Sequence, residues 1–179
     1  MKTYSRMPDE TTDRVAHLVQ LFHPALKEAG VRFDLISVSS DREGPTLSLH
    51  GYPCAAVVRA TGIKERTKGA GDVEIVFDEA QYLEMTEAEK DAICDHEIEH
   101  CELKIDKKTN KPKMDCRGRP KIGMRKHTVQ FGWFMSIAER HGAASMECKQ
   151  AATLVLMGRQ TFFAFALPST SSVHLLPAN

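Results

Sequence analysis

The stretch AICDHEIEHCELKID, residues 92–106, contains two histidines four residues apart, His96 and His100, with Glu97 directly after the first. On a helix, two imidazoles one turn apart can both reach a Zn²⁺ ion at about 2.0–2.1 Å. The intervening glutamate can accept a proton from a zinc-bound water, whose pKa the metal lowers to roughly 7. The HExxH spacing therefore predicts His96 and His100 as zinc ligands and Glu97 as the catalytic base.

The residues before the motif indicate that it lies on a helix. Thr86 and Glu89 form a capping box, in which Thr86 accepts from a backbone N–H and Glu89 reaches back to the cap. The predicted helix covers 87–102, and at about 100° per residue its two histidines and Glu97 share one narrow arc. We expect that face to point inward. The acidic residues on the opposite side, Asp91, Asp95, Glu99 and Glu102, are expected to face water. The alternative is a charged surface helix that matches the five-letter pattern by chance.

A catalytic zinc site needs a third protein ligand and one open position. The remaining candidates in the sequence are His127, His141, Glu139, Glu147 and Cys116. We favour His127, because it lies between a basic stretch and the next predicted helix, where a turn can direct it back to the motif. His141 is adequately explained by its position at the end of that helix, where a cation interacts favourably with the helix dipole.

The whole chain has the composition of a folded protein. It has 179 residues, a hydrophobic share of 42% and 24 Lys+Arg against 24 Asp+Glu, which excludes the signature of a disordered chain. Its five cysteines form no CxxC pair, which favours reduced thiols and a cytoplasmic location. No apolar run approaches the roughly 18 residues of a membrane helix. We expect a soluble protein with no membrane contact; its oligomeric state is not predicted.

The pattern along the chain predicts an α+β fold with a small mixed sheet. We divide it into a domain over 1–142 and a C-terminal helix with a polar tail over 143–179, packed on or extending the same domain. A helix bent at Pro24 comes first, then two strands joined by the polar turn SDREGP, and then the apolar run CAAVVRATG. The strand GDVEIVFD precedes the motif helix; it is either the edge of a substrate cleft, to which an extended peptide could pair, or an ordinary internal strand of the sheet. The later elements are a hairpin or two-turn meander, a helix after His127 and a last helix near 146–157.

Residues 102–126 are strongly basic, with ten Lys+Arg against three Asp+Glu. Clustered lysines and arginines gain free energy from counterion release on a phosphate backbone, so the segment 104–126 is a candidate DNA-binding hairpin. The alternative is a solvated hairpin whose lysines protect a strand edge against pairing with another chain.

The block DHEIEHCELKIDKKTNKPKMDCRGRPKIGMRKHTVQFGWFMSIAERHG resembles the putative phage metallopeptidase family, zincin-like proteins of phages and prophages. The resemblance implies a zincin-like domain with an HExxH active-site helix. It also implies that His96, His100 and His127 hold the metal and that Glu97 is the catalytic acid–base. The family usually has an aspartate after the third histidine, where this chain has Thr128.

The function implied is zinc-dependent hydrolysis of a protein or peptide substrate. Tyr82, His141 and the arginines of the basic hairpin are candidates for stabilising the oxyanion. A competing hypothesis is a non-enzymatic, metal-stabilised binding module of a phage or prophage. Such a module would contact DNA or a host protein through 104–126.

Overall fold

The computed structural model describes residues 1–41, 44–49, 52–127 and 133–157. These residues form short strands and helices in mixed order, which confirms the α+β class. The strands are β1 (Lys2–Arg6), β2 (Phe33–Ser40), β3 (Ser48–Leu49), β4 (Tyr52–Pro53), β5 (Ala56–Ala60), β6 (Val73–Asp78), β7 (Cys101–Leu103) and β8 (Ile122–Met124). The helices are α1 (Asp9–Phe22), α2 (Pro24–Glu28), α3 (Ile63–Thr67), α4 (Glu79–Glu84), α5 (Glu87–Glu99), α6 (Met135–His141) and α7 (Met146–Met157), with a 3-10 turn at Gly142–Ala144.

The main sheet has four strands in the order β1-β2-β6-β5. Strands β2 and β6 run parallel, whereas β1 pairs antiparallel with β2 and β5 antiparallel with β6. This is the small mixed sheet that the sequence predicts. Strands β3 and β4 form one separate two-stranded sheet, and β7 and β8 form another.

The core lies between the main sheet and the helices α1 and α5. Val73, Ile75 and Phe77 of β6 are fully buried, as expected for a strand with neighbours on both sides. Ile93 and Ile98 of α5 belong to the same hydrophobic cluster. Full burial of one such apolar side chain contributes about 1.5–3 kcal/mol, so this cluster fixes the position of α5 relative to the sheet.

The two strands predicted on either side of SDREGP are present as β2 and β3. They do not pair with each other, because β2 pairs with β1 and β6 while β3 pairs with β4. Strand β1 was not predicted, since its side chains are all exposed and carry no apolar alternation. Of the two roles considered for the strand GDVEIVFD, cleft edge and internal strand, the structure shows the second, because β6 lies between β2 and β5. The edge of the sheet next to β6 is β5.

The helix boundaries differ from the sequence prediction in three places. The first helix is interrupted at His23 just before Pro24, which gives α1 and α2 instead of one bent helix. The motif helix α5 begins at Glu87, with the predicted capping box, but it ends at Glu99, because Cys101 already pairs with Met124. Helix α6 begins only at Met135.

The last predicted helix, near 146–157, is confirmed as α7. The predicted tail over 158–179 and the residues that directly follow His127 lie outside the described residues. In the part of the chain that the structure describes, no helix is both long and apolar enough to span a membrane.

Candidate metal centre

Three imidazoles meet at the C-terminal end of α5. His96 lies in the last turn of this helix, His100 is its C-cap and His127 follows β8. Nε2 of His127 lies 3.2 Å from Nε2 of His96, and the rings of His100 and His127 are 4.4 Å apart. One nitrogen of each ring lies within 4.8 Å of the other two. The structure thus brings together all three histidines that the sequence predicts as ligands.

The outer nitrogens of two of these rings have defined partners. Nδ1 of His96 donates to Oε1 of Glu147 over 2.7 Å, and Nδ1 of His100 donates to the carbonyl of Arg125 over 2.8 Å. A carboxylate and a carbonyl can only accept, so in each neutral ring the proton is on Nδ1. Nε2 then carries the lone pair. This is the tautomer that a metal-binding histidine needs, with the orienting partner that such ligands have.

The donor set fits a metal ion that favours imidazole. Two nitrogens bound tetrahedrally at about 2.0–2.1 Å from zinc lie roughly 3.3 Å apart, close to the separation of the His96 and His127 nitrogens. Three neutral imidazoles suit Zn²⁺, and they also suit copper, iron and nickel. The cluster therefore fits a metal of this group.

Strands β7 and β8 explain how His127 reaches the motif. The chain leaves α5 at His100, runs out along β7 and returns along β8 to Arg125. There, the Arg125 amide donates to the His100 carbonyl over 2.6 Å, and Nε of Arg125 donates to the Glu99 carbonyl over 3.0 Å. The Arg125 guanidinium also pairs with the Glu99 carboxylate. These contacts fasten the returning strand to the end of α5, two residues before His127.

Phe134 forms an apolar wall behind the imidazoles. It is fully buried, and its ring centroid lies 5.1 Å from that of His96, 4.7 Å from that of His100 and 4.9 Å from that of His127. The ring restricts the orientation of all three imidazoles at once. Its backbone amide also donates to Oε1 of Glu147 over 3.4 Å, which helps to hold that carboxylate on His96.

Burial and charge set the protonation of the centre. Burial lowers the pKa of His100 to about 4, and burial together with the charge of His96 lowers the pKa of His127. Burial is the largest single influence on His96 and disfavours its protonation, but the hydrogen bond to Glu147 and the nearby carboxylate charges together outweigh it and raise the pKa of His96. Burial likewise opposes ionisation of Glu147, but the hydrogen bond and charge of His96, together with backbone hydrogen bonds, outweigh it and lower the pKa of the Glu147 carboxyl. His100 and His127 are therefore neutral, and available as ligands, at pH 7.

Glu97 lies beside the imidazoles and faces a cleft. Its side chain is only 4% exposed, and burial raises its pKa to about 7. A carboxyl with a pKa near the working pH can both accept and release a proton. This is the property that an acid–base catalyst requires.

The cleft has a volume of about 440 Å³ and is mainly apolar. One wall is the edge strand β5 with the residues before it, from Cys54 to Val58. Met124, Trp133 and Met146 also line the cleft. Glu97 and the three histidines are part of the same lining, so a molecule bound along β5 would lie close to them.

Of the four acidic residues predicted to face water, Asp95 and Glu99 are covered, whereas the Asp91 carboxylate is 43% exposed and Glu102 is exposed. Asp95 is fully buried and accepts hydrogen bonds from His23 over 2.6 Å and from Arg140 and His141 over 2.8 Å each. Glu99 pairs with Arg140 as well. Side chains from α6 and from the break between α1 and α2 thus cover Asp95 and Glu99. His23, to which the sequence analysis gave no role, is one of them.

The other candidates from the sequence lie elsewhere. His141 is bound to Asp95, whereas Glu139 and Cys116 are exposed and contribute nothing to the cluster. Glu147 contacts a ligand histidine and is not a member of the cluster itself. Its role as the partner of His96 was missed, because no spacing in the sequence relates residues 51 positions apart.

None of the predicted oxyanion candidates is part of the cleft. Tyr82 is buried against Phe77 at a ring distance of 5.0 Å, with its hydroxyl 3.4 Å from Thr11. Two hairpin arginines are held in ion pairs, Arg119 with Asp72 and Arg125 with Glu99. Like Tyr82 and His141, the hairpin arginines are absent from the described lining of the cleft.

A sequence model of the putative phage metallopeptidase family matches residues 3–156. Searches of the curated proteins and of the solved structures found no significant match. The matched range contains the three-histidine cluster, Glu97, the cleft and Glu147.

Proposed function

This chain belongs to the putative phage metallopeptidase family, and on that premise we propose that it is a zinc-dependent peptidase with a zincin-like active site. His96, His100 and His127 hold the metal, and Glu97 is the acid–base residue. The observation that carries the proposal is the position of Glu97, buried beside three converging imidazoles in the lining of a cleft. The family's name supports metal-dependent peptide hydrolysis, and the imidazole cluster supports zinc as the metal.

Zinc at this position would polarise the substrate carbonyl and lower the pKa of a coordinated water. The protein's own residues supply the rest. The Glu97 carboxylate accepts a proton from the attacking water and later donates it to the leaving amine, so that one residue serves both halves of the reaction. Glu147 and the Arg125 carbonyl keep the ligand nitrogens of His96 and His100 directed at the metal.

We propose that the substrate binds as an extended strand along β5. Ala55 accepts from the Asp78 amide and Thr61 donates to the Asp72 carbonyl, so alternate residues of β5, such as Val57, face β6. The backbone groups of Ala56 and Val58 then point to the open edge of the sheet. A peptide added there gains main-chain hydrogen bonds, and its alternate side chains enter the apolar cleft.

The competing hypothesis is a binding module with a purely structural metal. Structural zinc sites are closed by four protein ligands and need no base. Among the described residues, three histidines form the cluster, and Glu97 lies beside them in the cleft. This arrangement favours catalysis.

Metal content and proteolysis, measured together, test the proposal. The purified protein is expected to contain zinc in a ratio near one per chain, to cleave an unfolded protein or a peptide library, and to stop when a chelator removes the metal. Restored zinc should restore cleavage. A zinc-loaded protein that cleaves none of these substrates would favour the binding module.

A further inference from the structure

The basic segment 102–126 folds around a junction of three lysines. The amide of Lys104 donates to the carbonyl of Lys121, Lys121 donates to Lys113 and Lys113 donates to Lys104, over 2.9, 2.8 and 2.7 Å. These three hydrogen bonds form a closed triangle, and three antiparallel pairs of chain segments extend from it. One is the β7–β8 pair, and the others are the hairpins around the bridges Ile105–Pro112 and Met114–Pro120. We call this segment the lysine meander.

The side chains of the three junction lysines start from neighbouring backbone positions, because each lysine is hydrogen-bonded through its backbone to the other two. All three are exposed, while their neighbours Pro120 and Ile122 are buried. A Cβ placed at Gly123 would lie 3.1 Å from Oε1 of Glu102 and 3.5 Å from Cε of Lys104, so the Lys104 side chain lies over Gly123 next to Glu102.

These lysines do not protect a strand edge. Edge lysines deter pairing at a row of unpaired backbone groups. At the junction, by contrast, the amide and the carbonyl of each lysine are already bonded to the other two. Three ammonium groups held together by the backbone repel each other, and an anion placed between them removes that repulsion. The arrangement therefore favours an anionic ligand.

Positive charge is concentrated in the meander, whereas the rest of the chain is net negative. Residues 102–126 carry ten of the 24 basic residues and three of the 24 acidic ones, so the remainder of the neutral chain is net negative by seven. Within the meander, Arg119 and Arg125 are paired with Asp72 and Glu99. The other eight cations are exposed and have no ion pair with a described residue: Lys104, Lys107, Lys108, Lys111, Lys113, Arg117, Lys121 and Lys126.

We propose that the lysine meander binds the phosphate backbone of double-stranded nucleic acid, with Lys104, Lys113 and Lys121 at the centre of the contact. The phosphates of a duplex are distributed along its surface and are contacted by separate positive charges. Lysine supplies such a charge, and seven of the eight unpaired cations are lysines. An acidic protein partner fits less well, because protein interfaces are depleted in lysine and depend on aromatic anchors. Residues 102–126 contain no aromatic residue. For the same reason a single strand, which binds through stacking of its bases on aromatic rings, is a poorer fit than a duplex.

This surface adjoins the candidate metal centre. Lys126 directly precedes His127, and Arg125 is hydrogen-bonded to the end of α5. A bound duplex would thus lie next to the cleft and would bring proteins attached to it close to the histidines. Binding itself requires neither the metal nor Glu97, so it can be tested whether or not the chain is a peptidase.

The test uses fluorescence anisotropy of labelled DNA and RNA duplexes of about 20 base pairs, titrated with the full chain at several salt concentrations. The first variant replaces Lys104, Lys113 and Lys121 by glutamine. The matched control replaces three exposed cations on other elements, Arg6→Gln, Lys27→Gln and Lys64→Gln, and so removes the same total charge. Circular dichroism establishes that both variants fold.

Wild type is expected to bind with an affinity that falls steeply with salt. Loss of three phosphate contacts should reduce the log–log salt slope by roughly three, and the affinity on the order of 100-fold at about 0.1 M salt. The control variant should bind like wild type, and whichever duplex binds more tightly identifies the natural ligand. Three results would overturn the proposal. These are no salt-dependent binding by wild type, equal losses in both variants, or competition by polyglutamate as effective as that by unlabelled duplex.

Discussion

Oε1 of Glu147 accepts a hydrogen bond from Nδ1 of His96 over 2.7 Å, and this bond joins the last described helix, α7, to the candidate metal centre on α5. The Glu147 side chain is 2% exposed. Removal of such an orienting carboxylate typically costs 10–100-fold in metal affinity. Glu147→Gln should therefore weaken zinc binding by about 10–100-fold, measured by competition with a chromophoric chelator.

The control for this prediction is Glu139→Gln, an exposed glutamate on α6 with the same change in charge. It should bind zinc like wild type. The unfolding free energy of both variants is measured without metal. A Glu147→Gln variant that is as stable as its control but binds zinc more weakly has lost the orientation of His96, not its fold. Equal zinc affinities for the two variants would contradict the role assigned to Glu147.

His127 is expected to be indispensable for metal binding. Its Nε2 lies 3.2 Å from that of His96, and its removal leaves two imidazoles in the cluster. The variant His127→Ala should purify with far less than one zinc per chain, as measured by elemental analysis. His17→Ala, at an exposed position of α1, should keep the wild-type zinc content. Full zinc occupancy in His127→Ala would exclude this residue as a ligand.

Asp95 is predicted to contribute strongly to stability. It is fully buried and bonded to His23, Arg140 and His141, so Asp95→Asn leaves these groups without their common anion. Breaking a buried ion network in this way costs about 3–5 kcal/mol in the free energy of unfolding. The control Asp91→Asn, on the same helix, removes a carboxylate that is 43% exposed and paired with Arg14. It should cost no more than about 1 kcal/mol in urea unfolding.

The contribution of Asp95 should also depend on pH. Burial opposes ionisation of Asp95, but hydrogen bonds from His141, His23 and Arg140 outweigh it and hold the pKa of the carboxyl well below its usual value. A carboxyl whose pKa is lower in the folded state stabilises the protein above its unfolded-state pKa, about 3.9, and this stabilisation is lost as the pH falls further. The stability difference between wild type and Asp95→Asn should therefore be constant near neutrality and narrow below about pH 4. If the stability difference between the two proteins stayed constant down to pH 2, the pKa of Asp95 would not be lowered by folding.

The edge strand β5 provides a test of the proposed substrate orientation. Proline at position 58 removes an amide that points away from β6, and proline is tolerated on the open side of an edge strand. Val58→Pro should keep its zinc and lose at least about tenfold in kcat/KM, because one main-chain hydrogen bond to the peptide is absent. The amide of Ala60 also points away from β6, but Ala60 is not part of the cleft lining. The control Ala60→Pro should therefore retain most activity. Equal activities of the two variants would exclude pairing of the substrate at Val58.

The sequence predicted the local features of this protein better than its long-range contacts. The capping box at Thr86 and Glu89 located the start of α5, because both partners lie within one turn. The pairing of β2 with β1 and β6 was missed. Alternation of apolar residues identifies a strand, but it does not indicate which strand, up to 40 residues away, pairs with it. Asp95 and Glu99 of α5 were predicted to be solvent-exposed for a similar reason. Their partners, His23 and Arg140, come from distant segments that a helical projection does not contain.

For the candidate site, spacing placed His96, Glu97 and His100 on one face of a helix. The choice of His127 depended on a turn and on a resemblance, and the structure brings its ring to the other two. Glu147 could be found only from the fold. The chain has Thr128 where related sequences usually have an aspartate, and the described carboxylate that orients a ligand histidine comes instead from α7.

The most direct test of the proposed function is the zinc content and peptidase activity of Glu97→Gln beside those of wild type. Glutamine has nearly the same shape but cannot accept and return a proton. We predict that Glu97→Gln binds one zinc per chain with wild-type affinity and loses on the order of 10²–10⁴-fold in kcat. A Glu97→Gln variant that binds zinc and cleaves peptides at the wild-type rate would contradict the role of Glu97 and the proposed mechanism.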